Sequence, residues 1–284
     1  MAMAAAAGLT LFLAACGADR SGGAAGNPAG AVSGGQAAGQ PGAASEPTAA
    51  DYVEAPLVLA GGRTPDGLVT VSGRATPDAI VRLSAPEGQS WGMTAGGDGQ
   101  WSFAVPVGAT PRMLSLTAEK AGRSVHVDGA VVLLPAPDTP VIIARPGFGA
   151  HPIGLQSARP VIVSLDYDGG GGGIVSGVAR AGSVVRLSID GLDAGGVRTD
   201  NQGRFVAPAI KQPLKPGQRL IRVENADGAA QIQTAVEPTG RLDGVYAARR
   251  QADGWRLDWR AGAQAVQSTV IFDSAQQARD GGAK

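Results

Sequence analysis

The chain has little of what reaction chemistry or electrostatic steering requires. One of its 284 residues is a cysteine, Cys16, so no disulfide can form within the chain in any compartment. Histidine occurs twice, at His126 and His151, too few for a His-rich metal site without substantial help from carboxylates. Charged residues make up 17%, and 24 Lys+Arg balance 24 Asp+Glu. A net charge of zero leaves no long-range field to draw nucleic acid, which removes it from the expected partners. The metalloprotease signature H-E-x-x-H is missing as well. Asp166-Tyr167-Asp168 precedes a run of glycines, Gly169 to Gly173, but no further oxygen ligands fall into a calcium-loop spacing. No Lys-Ser/Thr follows those glycines to make a phosphate loop, so the run predicts a hairpin turn. No catalytic residues, no metal and no cofactor are expected.

Glycine and proline, by contrast, are abundant, at 44 and 19 residues, which suits short strands and tight turns better than long helices. The chain also repeats itself. Val71-Ser72-Gly73-Arg74-Ala75 returns 104 residues later as Val175-Ser176-Gly177-Val178-Ala179, and Val81-Arg82-Leu83-Ser84 as Val185-Arg186-Leu187-Ser188. Gly99-Gln100-Trp101 is answered by Gly203-Arg204-Phe205 in the same register. Two copies of one module explain this most simply. Val81 and Leu83 alternate with Arg82 and Ser84, the period-two pattern of a strand with one face in a core and the other in water. Turn signals such as Pro86-Glu87-Gly88, Gly97-Asp98-Gly99 and Asn201-Gln202-Gly203 separate the strands. The first copy predicts strands near 57–60, 68–75, 80–85, 91–95, 101–105, 113–119 and 124–134, a number and spacing that argue for a β-sandwich. Trp101 and Phe205 are expected as core anchors.

Between the copies, Pro135-Ala136-Pro137-Asp138-Thr139-Pro140 and then Arg145-Pro146-Gly147 predict an extended, fairly stiff connection that holds two sandwiches apart. Beyond the second copy the residues no longer repeat and read as a meander: Val245–Arg249, Trp255–Arg260 and Ser268–Phe272. Trp255, Leu257 and Trp259 share one face of its middle strand, Arg256 and Asp258 the other. A three-stranded sheet cannot bury two Trp alone, so this face needs a partner. It either closes the second sandwich or offers Trp255 and Trp259 as an aromatic platform for a glycan, with Arg256 nearby as a donor to carboxylate or phosphate.

At the other end, residues 2–15 form an apolar stretch too short to span a bilayer, which takes about 20 residues. It ends in Leu13-Ala14-Ala15-Cys16, which resembles the lipobox of bacterial lipoproteins, although no Lys or Arg precedes the apolar run. The resemblance implies a signal peptide cut before Cys16 and a membrane anchor of fatty chains on its thiol. Gly17, where Asp would favour the inner membrane, implies the outer membrane. Residues 17–54, rich in Gly, Ala, Ser, Gln and Pro, are expected to form a disordered tether.

The two repeats, with their VSGxA, VRLS and Gly-x-aromatic segments, resemble bacterial Ig-like domains, and that resemblance brings no catalytic residues with it. The expected fold class is therefore all-β: two tandem Ig-like β-sandwiches after a disordered tether, with a C-terminal β-meander. The divisions are a signal peptide at 1–15, lipidated Cys16 and linker at 16–54, sandwiches at 55–136 and 157–238 joined by a Pro-rich linker at 137–156, and a meander and tail at 239–284. The resemblances imply a cell-envelope protein, bound to membrane through Cys16, that presents Ig-like modules for protein binding, adhesion or spacing. Two alternatives stand beside it: a glycan- or peptidoglycan-binding protein using the aromatic strand, and an accessory subunit of an envelope complex.

Overall fold

In the computed structural model, the described residues are 52–135, 139–211, 213–261 and 265–273. Cys16, the expected signal peptide, almost all of the tether and the tail from 274 on lie outside them. Among the described residues every regular element is a β-strand.

The first sandwich is built from β1 (Leu57–Arg63), β2 (Val69–Arg74), β3 (Ile80–Ser84), β4 (Ser90–Thr94), β5 (Gln100–Val105), β6 (Arg112–Lys120), β7 (Arg123–His126), β8 (Ala130–Leu133), β9 (Val141–Arg145) and β10 (Gly149–Pro152). Its smaller sheet has the order β1-β2-β5. The larger runs β10-β9-β8-β6-β3-β4, with β7 also on β6. Alternation decides which side chains enter the core. In β5, Trp101, Phe103 and Val105 point inward while Gln100, Ser102 and Ala104 face out. Val71, Leu83, Leu116, Leu133 and Val141 close the same core from the other strands.

The second sandwich comprises β11 (Val161–Asp168), β12 (Gly173–Val178), β13 (Val184–Ile189), β14 (Leu192–Arg198), β15 (Arg204–Pro208), β16 (Gly217–Asn225) and β17 (Gly228–Val236). Beyond them lie β18 (Tyr246–Arg250), β19 (Gly254–Arg260) and β20 (Val266–Phe272). One sheet has the order β15-β12-β11-β20-β19-β18 and the other β14-β13-β16-β17. The expected meander is therefore an extension of the second sandwich, joined through β20 to β11. The glycine run after Asp168 forms the β11–β12 hairpin turn, with the Asp168 carboxylate accepting the Gly170 N–H at 2.8 Å.

The internal repeat carries through to the pairing of its first two strands. Leu57 pairs with Arg74 and Val161 with Val178, and the bulges at Val58/Ala60 and Ile162/Ser164 fall at equivalent positions. The glycine of the shared V-S-G motif has a packing reason. A Cβ on Gly73 would lie 1.8 Å from the Leu57 carbonyl oxygen and 2.7 Å from the Trp101 ring. On Gly177 it would lie 2.0 Å from the Val161 carbonyl oxygen and 2.8 Å from the Phe205 ring. Backbone and aromatic ring close over the same gap, and only hydrogen fits it.

Two sequence expectations are corrected. The strand expected at 124–134 is two, because Gly129, with φ of 109°, turns the chain between β7 and β8. The segment 137–156 was expected to hold the sandwiches apart, but it supplies β9 and β10 (136–138 lie outside the described residues). Val141 to Ala144 are buried, so this segment lies in the protein interior and does not run through water as a linker. Its burial has two sides: Val141 and Ile143 enter the core of the first sandwich, Ile142 and Ala144 the space between the two.

Candidate functional site at the seam of the two sandwiches

The space between the sandwiches is filled. Met113, Val132, Leu134, Ile142 and Ala144 of the first meet Val163, Leu257, Trp259 and Ile271 of the second in one buried cluster. Its apolar character follows from the strand period, since β9 and β19 each present alternate residues to the seam.

A polar network lies beside this cluster. Asp166, 2% exposed, accepts hydrogen bonds from the Thr269 hydroxyl at 2.5 Å, the Gln267 side-chain amide at 2.8 Å and the Ser164 hydroxyl at 3.2 Å. The network reaches across the seam at two points. The Gly147 N–H donates to Gln267 Oε1 at 3.2 Å, and the Ala150 N–H to Ser176 Oγ at 3.0 Å. Ser176 is itself 2.7 Å from Ser164 Oγ. Burial away from water pushes the Asp166 carboxyl up to about 6, against the pull of its three donors. His151, on β10, is shifted the other way: burial, with the positive charges of Arg204 and Arg145, lowers its pKa. A cleft of about 290 Å³ opens at the end of the network, lined by Gly147, Asp166, Asp168, Ile174, Ile210 and Gln267. It brings together acceptors and apolar walls, and its two carboxylates are already engaged by Thr269, Gln267, Ser164 and backbone amides. No three His, Cys, Asp or Glu residues gather into a possible metal site among the described residues.

The residues singled out in the sequence are placed as follows. Trp259 is 4% exposed in the seam, its indole N–H donating to Thr269 Oγ1 at 3.0 Å. Trp255 is half-buried beside the same cluster, with the Arg250 guanidinium 5.5 Å over its ring. Arg256, expected as a donor to ligand, is 0% exposed on the opposite face of β19. It donates to Asp258 at 2.8 Å, to Ser268 at 3.0 Å and to the Glu237 and Pro238 carbonyls at 3.3 and 3.2 Å, and it lies 5.3 Å over the Tyr167 ring. Its work is to fasten the meander to the connection that precedes it. A paired-ring platform with an arginine at its side is thus not on the surface, because both faces of β19 are covered. Cys16 lies outside the described residues.

Sequence reasoning did not find Ser164, Ser176, Gln267 and Thr269. They are common polar residues on strands, and nothing in their spacing separates a buried polar face from a wet one.

No family model matches the chain, and no curated protein does. Among solved structures it is similar to one titled "Biofilm associated protein - BSP domain", at 14% identity and a TM-score of 0.22, covering 67% of this chain and 30% of that one. It is also similar to one titled "Ca2+-stabilized adhesin helps an Antarctic bacterium reach out and bind ice", at 16% identity and a TM-score of 0.20, covering 75% of this chain and 59% of that one. The chain thus spans less than two thirds of either.

Proposed function

We propose that this chain is a non-catalytic protein of the cell envelope, held at a membrane by fatty chains on Cys16, in which two joined Ig-like β-sandwiches act as one stiff unit for binding and spacing. The observation that carries this reading is the seam. Two modules on a free linker can neither hold a fixed distance nor present a fixed surface. Two modules that share a buried apolar cluster and a hydrogen-bonded polar network do both. The lipobox Leu13-Ala14-Ala15-Cys16 supports the anchor, since two or more acyl chains hold a protein durably at a bilayer where one does not. The outer membrane is the proposed location, from Gly17. A glycan platform at Trp255 and Trp259 has less support, because the Trp259 ring is spent on the seam.

The test is fractionation of cells expressing the chain and its Cys16→Ser variant. The parent is expected in the membrane pellet and the variant in the soluble envelope fraction. A variant that stays with the membrane overturns the anchor. Small-angle scattering of the Cys16→Ser chain tests the stiffness, with the expected profile that of one compact two-sandwich body and not of a flexing pair.

A further inference from the structure

Both points at which the polar network crosses the seam lead to one residue. The Gly147 N–H reaches Asp166 Oδ1 through the Gln267 side chain, and the Ala150 N–H reaches Asp166 Oδ2 through Ser176 and Ser164. The first module folds with no acid at that position. β1 and β11 pair in the same register with β2 and β12, Ala60 opposite Ser72 and Ser164 opposite Ser176, so Gly62 stands where the second sandwich has Asp166. The carboxyl is an addition at the seam, and no cation answers it. Among the described residues its donors are Ser164, Gln267 and Thr269. The other ionisable groups on that side of the seam are Asp168 on β11, His151 on β10, Arg145 on β9, and Arg204 with Asp200 at β15. Arg145 is paired with Asp128 and Arg204 with Asp200. The cleft of about 290 Å³, lined by Asp166, Gly147 and Gln267, gives water a way to the carboxyl.

We propose that Asp166 makes the seam a pH-sensitive joint, firm while the carboxyl carries its proton and looser once it is ionised and water enters through the cleft to meet the charge. This rests on the reading of the two sandwiches as one stiff unit and adds its regulation. Protonated, the carboxyl is a neutral member of a closed network. Ser164 and Ser176, 2.7 Å apart, can hydrogen-bond in either direction, so the path to Ala150 stays closed when Asp166 donates to Ser164. Ionised, it is a buried charge with hydrogen bonds but no counter-ion, a state that burial penalises and water relieves. Opening at Gly147 and Ala150 is local, and the apolar cluster beside the network stays in place. Burial raises the Asp166 pKa to about 6, and in an open, wetted seam it returns toward the ordinary 3.8. Open forms therefore bind fewer protons and gain as pH rises, by about ten-fold over closed ones between pH 5 and pH 7.5. His151, its own pKa lowered, acts in the opposite sense.

The experiment follows amide hydrogen exchange by NMR in the full-length Cys16→Ser chain and in the same chain carrying Asp166→Asn, at pH 5 and pH 7.5, corrected for intrinsic rates. Both chains contain His151, so its effect cancels between them. The Gly147 and Ala150 amides are expected to exchange faster than those of Leu83 and Val223 in the two cores. The ratio of parent to variant opening at Gly147 and Ala150 is expected to rise about ten-fold from pH 5 to pH 7.5. If Asp166→Asn does not fold, the Cys16→Ser chain with His151→Gln serves alone, its opening at the same two amides rising by about the same factor. Opening that does not change with pH in this way overturns the joint and leaves the stiff unit standing. Exchange at Gly147 and Ala150 as slow as in the cores also overturns it, because the seam then opens only with the whole fold. Free exchange at both pH values overturns the seam and the joint together.

Discussion

Asp166 is the residue where burial and charge conflict most directly. Its carboxyl has three donors but no cation among its hydrogen-bond partners, and its pKa is raised to about 6 from an ordinary 3.8. A raised acid means the folded chain holds a proton that the unfolded chain has already lost. The stability this group contributes is therefore complete below about pH 4 and is lost as pH rises through 6, by roughly 2–3 kcal/mol for a shift of about two units. Asp166→Asn keeps the acceptor for Thr269 and Gln267 and turns a donor toward Ser164, so it should escape that loss. Urea unfolding of parent and variant at pH 4 and pH 7 is expected to show the variant gaining on the parent by about that amount. His151, with its lowered pKa, acts in the opposite sense, losing stability as pH falls, but it is present in both proteins and cancels in the difference. A difference that does not change with pH would mean that Asp166 is not desolvated as described. At this scale the sequence was partly legible. The aromatic anchors Trp101 and Phe205 were read from their register in the repeat, and both are buried. The polar seam was not legible, because hydroxyl and amide side chains are mostly exposed and nothing in the sequence marks the few that are buried.

At the scale of elements, β19 is a strand covered on both faces. Arg256 ties it to Ser268 of β20 and to the connection at Glu237 and Pro238, with Asp258 as its ion-pair partner. Replacing Arg256 by Ala takes its guanidinium from Asp258, which keeps the Ser268 hydroxyl as a donor, from the Glu237 carboxylate and from two carbonyls, and removal of one partner of a buried pair costs up to about 3–5 kcal/mol. The expected outcome is a fall of that size in unfolding free energy, with the far-ultraviolet spectrum of the strands retained at low temperature. A loss below about 1 kcal/mol, the range of surface pairs, would show that the guanidinium is wetter than its contacts indicate. β9 teaches a different lesson. Val141-Ile142-Ile143-Ala144 is a continuous apolar run, the pattern of a strand buried on both faces. Flanking prolines suggested a linker, but Pro140 and Pro146 lie just outside the strand and remove no ladder hydrogen bond from its interior.

At the scale of the molecule, the two sandwiches share a buried apolar cluster and are expected to unfold as one cooperative unit. Neither can unfold without exposing Ile142, Val132, Leu257 and Trp259 of the cluster between them. Calorimetry of the Cys16→Ser chain is expected to show a single transition whose calorimetric and van't Hoff enthalpies agree. Two resolved transitions would mean that the seam holds less strongly than either core.

The amino-acid order alone determined the β class, the two-module repeat and the positions of the inward aromatic residues. These follow from local rules: a strand has period two, a turn needs its glycine or proline, and a module that recurs must fold alike. What only the tertiary structure decided is where the apolar surplus goes. Ile142, Trp259 and Leu257 are equally apolar whether they meet a ligand, a linker or each other. Burial is a property of the partner as much as of the residue, and the partner lies more than a hundred residues away in the chain.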